Sequence, residues 1–488
     1  IWLSTKKGLK GLFNNKLKNF LVPHKSLSYS FFRSLLAVDG KNPFLIAGSE
    51  TGLSLFDPET QRFETVPYDD YREMNISHRT ITALYIDEGG VLWVGTKKGL
   101  NKFDTYTKDF EAFRTTQFDK SKNIITGVQN SSLGGYWIST IGGGLFKFDD
   151  KDSFTHYKII SREENDFTEF IQTLYSDGKG NVWVGTAGAG VYHFNEKEIG
   201  KTGTISRFDH YFTKSDSPLS DDYVMSLAGD RDGNILVGMW SGGLNKITTG
   251  KKVINFDEPS LKRAPVVVLH PDHTGTIWVG TRGKGFYRIR ETGGKPTIKH
   301  YYKDEADTLN TISNNFINAV YEDHAGTLWI GTDGGLNAFD RRTEEFSHYP
   351  LEGGPSNDVI VSILEDDQGK LWLAHWNGLT VIDPADPRWM RNYDNNDRIM
   401  GGFFYNNICV KNREGHLLFA GSEGFNRIDT KRIVQKPEEY PLAITQFELF
   451  GKPVTYGEEI DGRVILTSPL QNNLKVELKH FENSIAFE

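Results

Sequence analysis

Trp240 and Trp376 are the two residues whose type and position most invite chemistry, because each occupies a glycine-flanked turn (VGMWSGG and LAHWNGL) where polar residues are the rule. Flat aromatic faces stack on the C–H faces of sugar rings, while nearby charged and amide groups bond the hydroxyls. Candidates for those polar contacts stand in equivalent turns, Arg282, Lys284, Asp333 and His375, and in loops leading into apolar strands, Asp222 and Tyr223 (LSDDYV) and Asn314 and Asn315 (TISNNF). The bland reading is that exposed loop side chains are merely solvated and that the two Trp pack against their neighbours.

Catalytic and metal-binding sets do not assemble from the sequence. A glycosidase needs a carboxylate pair at a defined separation, and beyond Asp333 no acidic residue departs distinctively from the pattern of the chain. Asp230–Asn234 (DRDGN) resembles the start of a calcium loop but has no Glu at the twelfth position, so it reads as a turn. The 13 His show no HExxH spacing. Gly142–Gly144 lack the Lys-Ser or Lys-Thr of a phosphate loop. Cys409, the single cysteine, lies in the apolar run Ile408–Val410 and reads as a small core hydrophobe. No cofactor and no metal are expected.

The elements that carry these turns follow from composition and repetition. At 488 residues the chain exceeds one ordinary core, and 50 Gly, 13% aromatics and only five Met point to many short strands joined by tight turns. A formal charge of -8 argues against nucleic acid or an anionic membrane surface as main partner, and no apolar run approaches a membrane span. The motif LWVGTKKGLNKFD (92–104) returns as VWVGTAGAGVYHF (182–194), IWVGTRGKGFYRI (277–289) and LWIGTDGGLNAFD (328–340). With weaker copies the anchor slots are Trp2, Ile46, Trp93, Trp137, Trp183, Leu236, Trp278, Trp329, Trp372 and Leu418. Their mean spacing of about 46 residues is that of a propeller blade.

Each of the ten repeats reads as four strands: an apolar inner strand, an Asp-x-x-Gly turn, the anchor strand, a third strand, and an outer strand marked by an aromatic pair such as Phe110/Phe113, Phe154/Tyr157 or Phe346/Tyr349. Seven of the ten Trp are anchors and thus structural. One residue past the Thr slot the repeats vary freely: Lys6, Glu50, Lys97, Ile141, Ala187, Trp240, Arg282, Asp333, Trp376 and Ser422. That turn faces one end of a propeller's channel, and Trp240 and Trp376, three blades apart, would face each other across it.

The D-x-x-G-x-[LIV]-W-[VIL]-G-T-x-x-G-[LF] unit resembles the two-component regulator propeller repeat, over residues 1 to about 436. PLAITQFELFGKPV (441–454) and LKVELKHFENSIAFE (474–488) are similar to the opening strands of the Y_Y_Y β-sandwich that follows such propellers, and HLLFAGSEGFNRID (416–429) is similar to that family's terminal repeat. The resemblance implies an all-β chain, a β-propeller of ten four-stranded blade repeats followed by the start of a β-sandwich. Its parts are 1–118, the remaining blades of an N-terminal propeller; 119–436, a C-terminal seven-bladed propeller; and 437–488, the incomplete sandwich. One ring of eight to ten blades is the alternative. The first residues, IWLST, match the middle of the motif, so the chain reads as cut from something longer.

The same resemblance implies the periplasmic sensor region of a hybrid two-component histidine kinase of polysaccharide-degrading Bacteroidetes. It would bind an oligosaccharide, would dimerise through the sandwich, and would meet the membrane and its kinase only through segments beyond this chain. Two other readings stand beside it: a protein-interaction platform, using the lysines Lys6, Lys7, Lys10, Lys16, Lys18, Lys97 and Lys98, and, less favoured, a propeller glycosidase or lyase.

Overall fold

The computed structural model describes residues 2–5, 8–13, 16–20, 32–38, 44–58, 62–65, 76–87, 91–104, 110–114, 124–149, 152–160, 167–199, 203–216, 218–293, 295–307, 310–349, 359–376, 378–394, 397, 399, 403–431, 433, 446–468 and 476–487. The fold is all-β, and no described helix is long and apolar enough to cross a membrane. Two compact units form, residues 1–107 with 434–488, and residues 108–433.

Residues 108–433 form seven sheets, antiparallel except for the short parallel pairing of Phe154–Ile159 with Thr204–Ile205. The first six blades begin with the inner strands Ile125–Asn130, Ile171–Ser176, Val224–Gly229, Val266–Pro271, Ile317–Glu322 and Ser362–Glu365 and continue outward in chain order, except that Thr204–Ile205 joins the outer edge of the first blade and Asp209–Tyr211 closes the second. The seventh has Phe404–Lys411 innermost, then Leu417–Gly421 and Gly424–Ile428. Each inner strand packs beside the next, and the seventh packs beside the first, so the ring closes at seven blades. Twist lets flat sheets fan around an axis in this way while each apolar face is covered by its neighbour.

One strand expected in the third repeat belongs elsewhere. Phe110–Phe113 does not complete the blade anchored on Trp93. It pairs antiparallel with Gly424–Ile428, Phe110 opposite Ile428 and Phe113 opposite Phe425, and becomes the outer strand of the seventh blade. The compact unit therefore starts upstream of residue 119. Local pattern fixes that these residues are a strand but not which edge they take. The seventh blade brings only three strands of its own, and its open edge is the one available to close the ring. Phe113 stacks on Phe425 at 5.1 Å and meets Phe148 edge-on at 4.9 Å. Arg427 bonds Glu111 at 2.6 Å and Asp152 at 2.9 Å, and Arg114 pairs with Glu423.

The Asp-x-x-Gly turns work as clamps on the anchor indoles. In the turns at Asp87, Asp272, Asp323 and Asp366, one carboxylate oxygen accepts the backbone N–H four residues on. The other oxygen accepts the indole N–H six residues on, from Trp93, Trp278, Trp329 and Trp372, at 2.7–2.9 Å. Where the fourth residue is Asn, its amide takes the second oxygen instead, as in Asn181 on Asp177 and Asn234 on Asp230. The DRDGN segment is thus an ordinary turn, and among the described residues no cluster of three or more His, Cys, Asp or Glu could hold a metal ion.

The first blade lacks the turn Asp, having Ser131, and borrows a carboxylate from the second. Glu196, 1% exposed, accepts the Ser131 hydroxyl at 2.6 Å, the Ser132 N–H at 2.6 Å and the Trp137 indole at 2.7 Å. Burial opposes its ionisation, but these hydrogen bonds outweigh burial and hold its pKa below the ordinary value.

In the other unit, three sheets are described, Trp2–Thr5 with Gly8–Phe13 and Lys16–Phe20, then Ser34–Val38 through Arg62–Thr65, then Ile81–Ile86 through Gly99–Asp104. Residues 446–487 add a small sheet of Phe447–Leu449, Lys452–Pro453 and Ile485–Phe487 over a core of Phe447, Leu449, Val454, Ile465 and Leu466. Lys6, Lys7 and parts of the expected sandwich strands, residues 441–445 and 474–475, lie outside the described residues.

Two outcomes follow. Glu196→Ala leaves a buried indole N–H and a hydroxyl without an acceptor and lowers the stability of the chain in urea unfolding by about 2 kcal/mol; Glu196→Gln, which keeps one acceptor, costs less. Because the folded pKa of Glu196 is depressed, its contribution is complete above the ordinary value of about 4.3 and is lost as the pH falls through the lower folded value, so the gap between wild type and Glu196→Ala narrows in acid. Phe113→Ala removes the ring that seals the seventh blade and lowers stability by about 3 kcal/mol, whereas truncation to Ala of a face residue in the sheet anchored on Trp93, which belongs to the other unit, would leave residues 108–433 intact in hydrogen exchange.

Candidate ligand-binding site at the mouth of the ring

In several blades the two residues preceding the inner strand have separate tasks. The first gives its carbonyl to the turn glycines of the preceding blade: Glu169 accepts from Gly142 and Gly144, Asp222 from Gly188 and Gly190, and Asn315 from Gly283 and Gly285. The second accepts the N–H of the variable turn residue in its own blade: Phe170 from Ala187, Tyr223 from Trp240, Phe316 from Asp333 and Phe403 from Ser422. These bonds tie neighbouring blades together at one end of the ring and, with Ile141 on Ile124 and Arg282 on Pro265, fix the backbone of six of the seven variable positions, Trp376 being the exception. Gly144, Gly190 and Gly285 sit at φ 79°, 72° and 81°, a region that favours glycine.

A cavity of about 640 Å3 opens at this end along the ring axis. Its deepest lining is apolar, Val128, Leu174, Leu227, Leu269 and Ile408; above it lie Thr126, Gln172, Met225, Asn318 and Asn406; the rim is formed by Ile141, Arg282, Phe316, Asp333, Trp376 and Phe403. The rim is aromatic and open. Phe170, Phe316, Trp376 and Phe403 are all 41–54% exposed, and Trp376 meets Phe403 edge-on at 6.2 Å.

An insertion in the seventh blade shapes one wall. The inner strands of the first five blades carry a one-residue bulge near the mouth. In the seventh, Phe404 pairs with Gly421 and Cys409 with Phe419, so three extra residues bulge inward. Asn407 takes φ 56° and donates its N–H to Val361 O, while Ser362 Oγ donates to Tyr405 O and accepts from Ile408 N–H. Tyr405, Asn406 and Asn407 thereby line the cavity. The Asn406 amide donates to Asn318 Oδ1 at 2.9 Å, and the Asn318 amide donates to Asp333 Oδ1 at 2.8 Å, a chain linking the seventh blade to the fifth.

The candidates named from sequence fall into three groups. Trp376, Arg282 and Asp333 line the cavity. Trp240 and Tyr223 sit beside it at the third blade: Trp240 is 42% exposed with its ring 6.0 Å from that of Tyr223, whose hydroxyl accepts from the cavity residue Gln172. Trp240 is not part of the cavity lining, so the two Trp do not form a facing pair within it. Lys284 is exposed and outside the lining, its carbonyl accepting from His300.

The remaining four are structural. Asp222 spends both carboxylate oxygens on the N–H and hydroxyl of Thr213. Asn314 caps the N–H of Phe316, and Asn315 that of Lys303. His375 is 2% exposed, with Nε2 3.2 Å from the Thr380 hydroxyl; it ends the anchor strand pointing inward, one residue before the turn, and burial pushes its pKa down to about 4. Sequence reasoning missed Phe170, Phe316 and Phe403, although an aromatic at a fixed offset before the inner strand recurs in four blades and was legible. Asn318 and Asn406 had no such signal. Cys409 packs against the core, and burial raises its thiol pKa to about 12.

Comparison with known proteins bears on the repeats and on the fold. Residues 75–98, 311–334 and 353–377 match the two component regulator propeller family, so the chain carries those repeats. No curated protein matches. Among solved structures, the extracellular domain assigned to a hybrid two component system of B. thetaiotaomicron has a TM-score of 0.68 at 21% identity, covering 95% of this chain and 59% of that one. A second B. thetaiotaomicron extracellular domain, assigned to a one component system, scores 0.53 at 18% identity over 100% of this chain and 70% of that one. A virginiamycin B lyase from Staphylococcus aureus scores 0.50 at 13% identity over 65% and 98%. At these identities the likeness is one of fold, and the chain spans less than two thirds of the length of the first structure.

The burial of His375 has a measurable consequence. Its folded pKa of about 4 lies below the unfolded value of about 6.5, so the unfolded chain binds the extra proton between those values. The stabilisation from a neutral His375 is complete above the unfolded pKa and declines as the pH falls below it. The His375 imidazole is expected to show no NMR titration midpoint between about pH 5.5 and 8; a midpoint there would place it in contact with solvent.

Proposed function

We propose that this chain is the extracytoplasmic, periplasmic ligand-sensing region of a hybrid two-component sensor and that its ligand is an oligosaccharide derived from a polysaccharide. The observation that carries the reading is the cavity itself: exposed aromatic faces, a guanidinium, a carboxylate and side-chain amides converge at one end of a closed ring, where backbone bonds hold most of the variable residues in place. An oligosaccharide matches that surface, since its C–H faces stack on Trp376 and Phe403 while its hydroxyls bond amides and carboxylate. The repeat family and the extracellular fold relatives support a sensor over an enzyme.

Signalling then requires that the ligand bind one arrangement of the protein better than another, since only a difference in affinity shifts an equilibrium. Kinase output, control of polysaccharide-utilisation genes and dimerisation through the C-terminal segment belong to this proposal.

The test is a thermal-shift screen against plant and host oligosaccharides, with calorimetry on each positive and chromatography for cleavage. A ligand bound and left intact is expected. Trp376→Ala weakens it at least tenfold with little change in melting temperature, because the side chain is 50% exposed, and Trp240→Ala has the smaller effect. Cleavage of the ligand, or unchanged affinity in Trp376→Ala, would overturn the reading.

A further inference from the structure

Arg282 is the only cationic side chain in the cavity lining, and among the described residues its guanidinium has no hydrogen bond or ion pair. Its neighbours do not neutralise it. Asp333, the one acidic residue of the lining, is engaged through Oδ1 by the Asn318 amide, which is itself an acceptor for Asn406. Arg282 is anchored by its backbone, donating its N–H to Pro265 O at 3.0 Å and bridging to Phe316 on the next blade. The Phe316 ring lies over Gly283, so close that a Cβ there would sit 3.3 Å from it. The side chain is thus carried to the rim on a rigid turn, beside a residue whose ring covers the next position of that turn, with its five N–H donors unengaged among the described residues.

Several arginines of this ring offset their charge with nearby carboxylates, as Arg288 does with Glu344, Arg341 with Glu322 and Asp272, and Arg427 with Glu111 and Asp152. Arg282 has no such partner among the described residues, and of the ring's arginines it is the one that lines the cavity where a ligand would be received. Resting on the oligosaccharide reading, we infer that the ligand carries an anionic group, a uronate carboxylate or a sulfate ester, which Arg282 binds. A planar guanidinium takes either anion through paired N–H donors, and the partly enclosed rim strengthens the bond relative to open water. The free Oδ2 of Asp333 accepts a neighbouring hydroxyl, and its negative charge on the adjacent blade excludes a second anion from that side.

The experiment compares three ligands of one sugar: tetragalacturonic acid, a sulfated galactan tetrasaccharide and neutral galactotetraose, titrated calorimetrically into the whole chain and into Arg282→Gln and Arg282→Lys. Melting temperatures of the variants check that the exposed substitutions leave the fold intact. The expected result is that at least one acidic ligand binds at least tenfold more tightly than galactotetraose, that Arg282→Gln removes the difference and Arg282→Lys retains part of it, and that raising salt weakens only the acidic ligand. Which acidic ligand prevails distinguishes carboxylate from sulfate. Binding of galactotetraose as tight as that of the acids, or acid binding indifferent to Arg282→Gln, overturns the anionic assignment and leaves the oligosaccharide reading standing; absence of binding by any sugar in the screen overturns both.

Discussion

Every feature of the 108–433 unit depends on one constraint: a blade is apolar on both faces, and seven of them are covered only if the ring closes. Closure requires the seventh blade to have an outer edge as complete as the others, and its own sequence provides three strands. The strand Phe110–Phe113 meets that need from the opposite end of the unit. Once the ring is closed, the mouth becomes rigid, because the glycine-to-carbonyl bonds between blades can form only when the blades stand side by side. The cavity is therefore a property of the closed ring and not of any one repeat.

The interior of the blades was legible because it is local. A Trp six residues beyond an Asp, with a glycine between, carries both the hairpin and its buried hydrogen bond in a few adjacent positions, and Trp278, Trp329 and Trp372 behave as read. What the sequence concealed are partners distant in the chain. Phe110 and Phe113 look like any other outer-strand pair, and Glu196 looks like any surface glutamate until the missing Asp at Ser131 is noticed. The same limit applied to the site. That Arg282, Asp333 and Trp376 line the cavity was legible because a turn with fixed glycines and a free side chain announces itself, whereas Asp222, Asn314 and Asn315 hydrogen-bond nearby backbone, and in one dimension a polar residue that caps a backbone looks like one that waits for a ligand.

The rim is strongly asymmetric. Its charged groups, Arg282 and Asp333, lie with the amides of Asn318 and Asn406 on the arc from the fourth blade to the seventh, and the opposite arc presents Ile124, Ile141 and Met225 with the uncharged amides of Gln129 and Gln172. A pseudosymmetric ring has in this way acquired a direction, by substitution at positions whose backbone does not change. That is a low-cost route to new specificity, since the fold is indifferent to which side chain the turn carries.

The closing strand also imposes an order of events on the newborn chain. Phe113 and Phe425, which end up in contact, are separated by about 300 residues, and at roughly 5–20 residues per second of synthesis the first strand waits tens of seconds for its partner. During that interval each finished blade can rest on the one before it, but the outer strand stays unpaired and the first blade keeps one face uncovered. Contacts of such long sequence separation form late and slowly. The ring thus passes through an open intermediate with an exposed strand and an exposed apolar face, the kind of species that chaperones hold, and its closing is a single late event that acts as a check on whether all seven blades have been made.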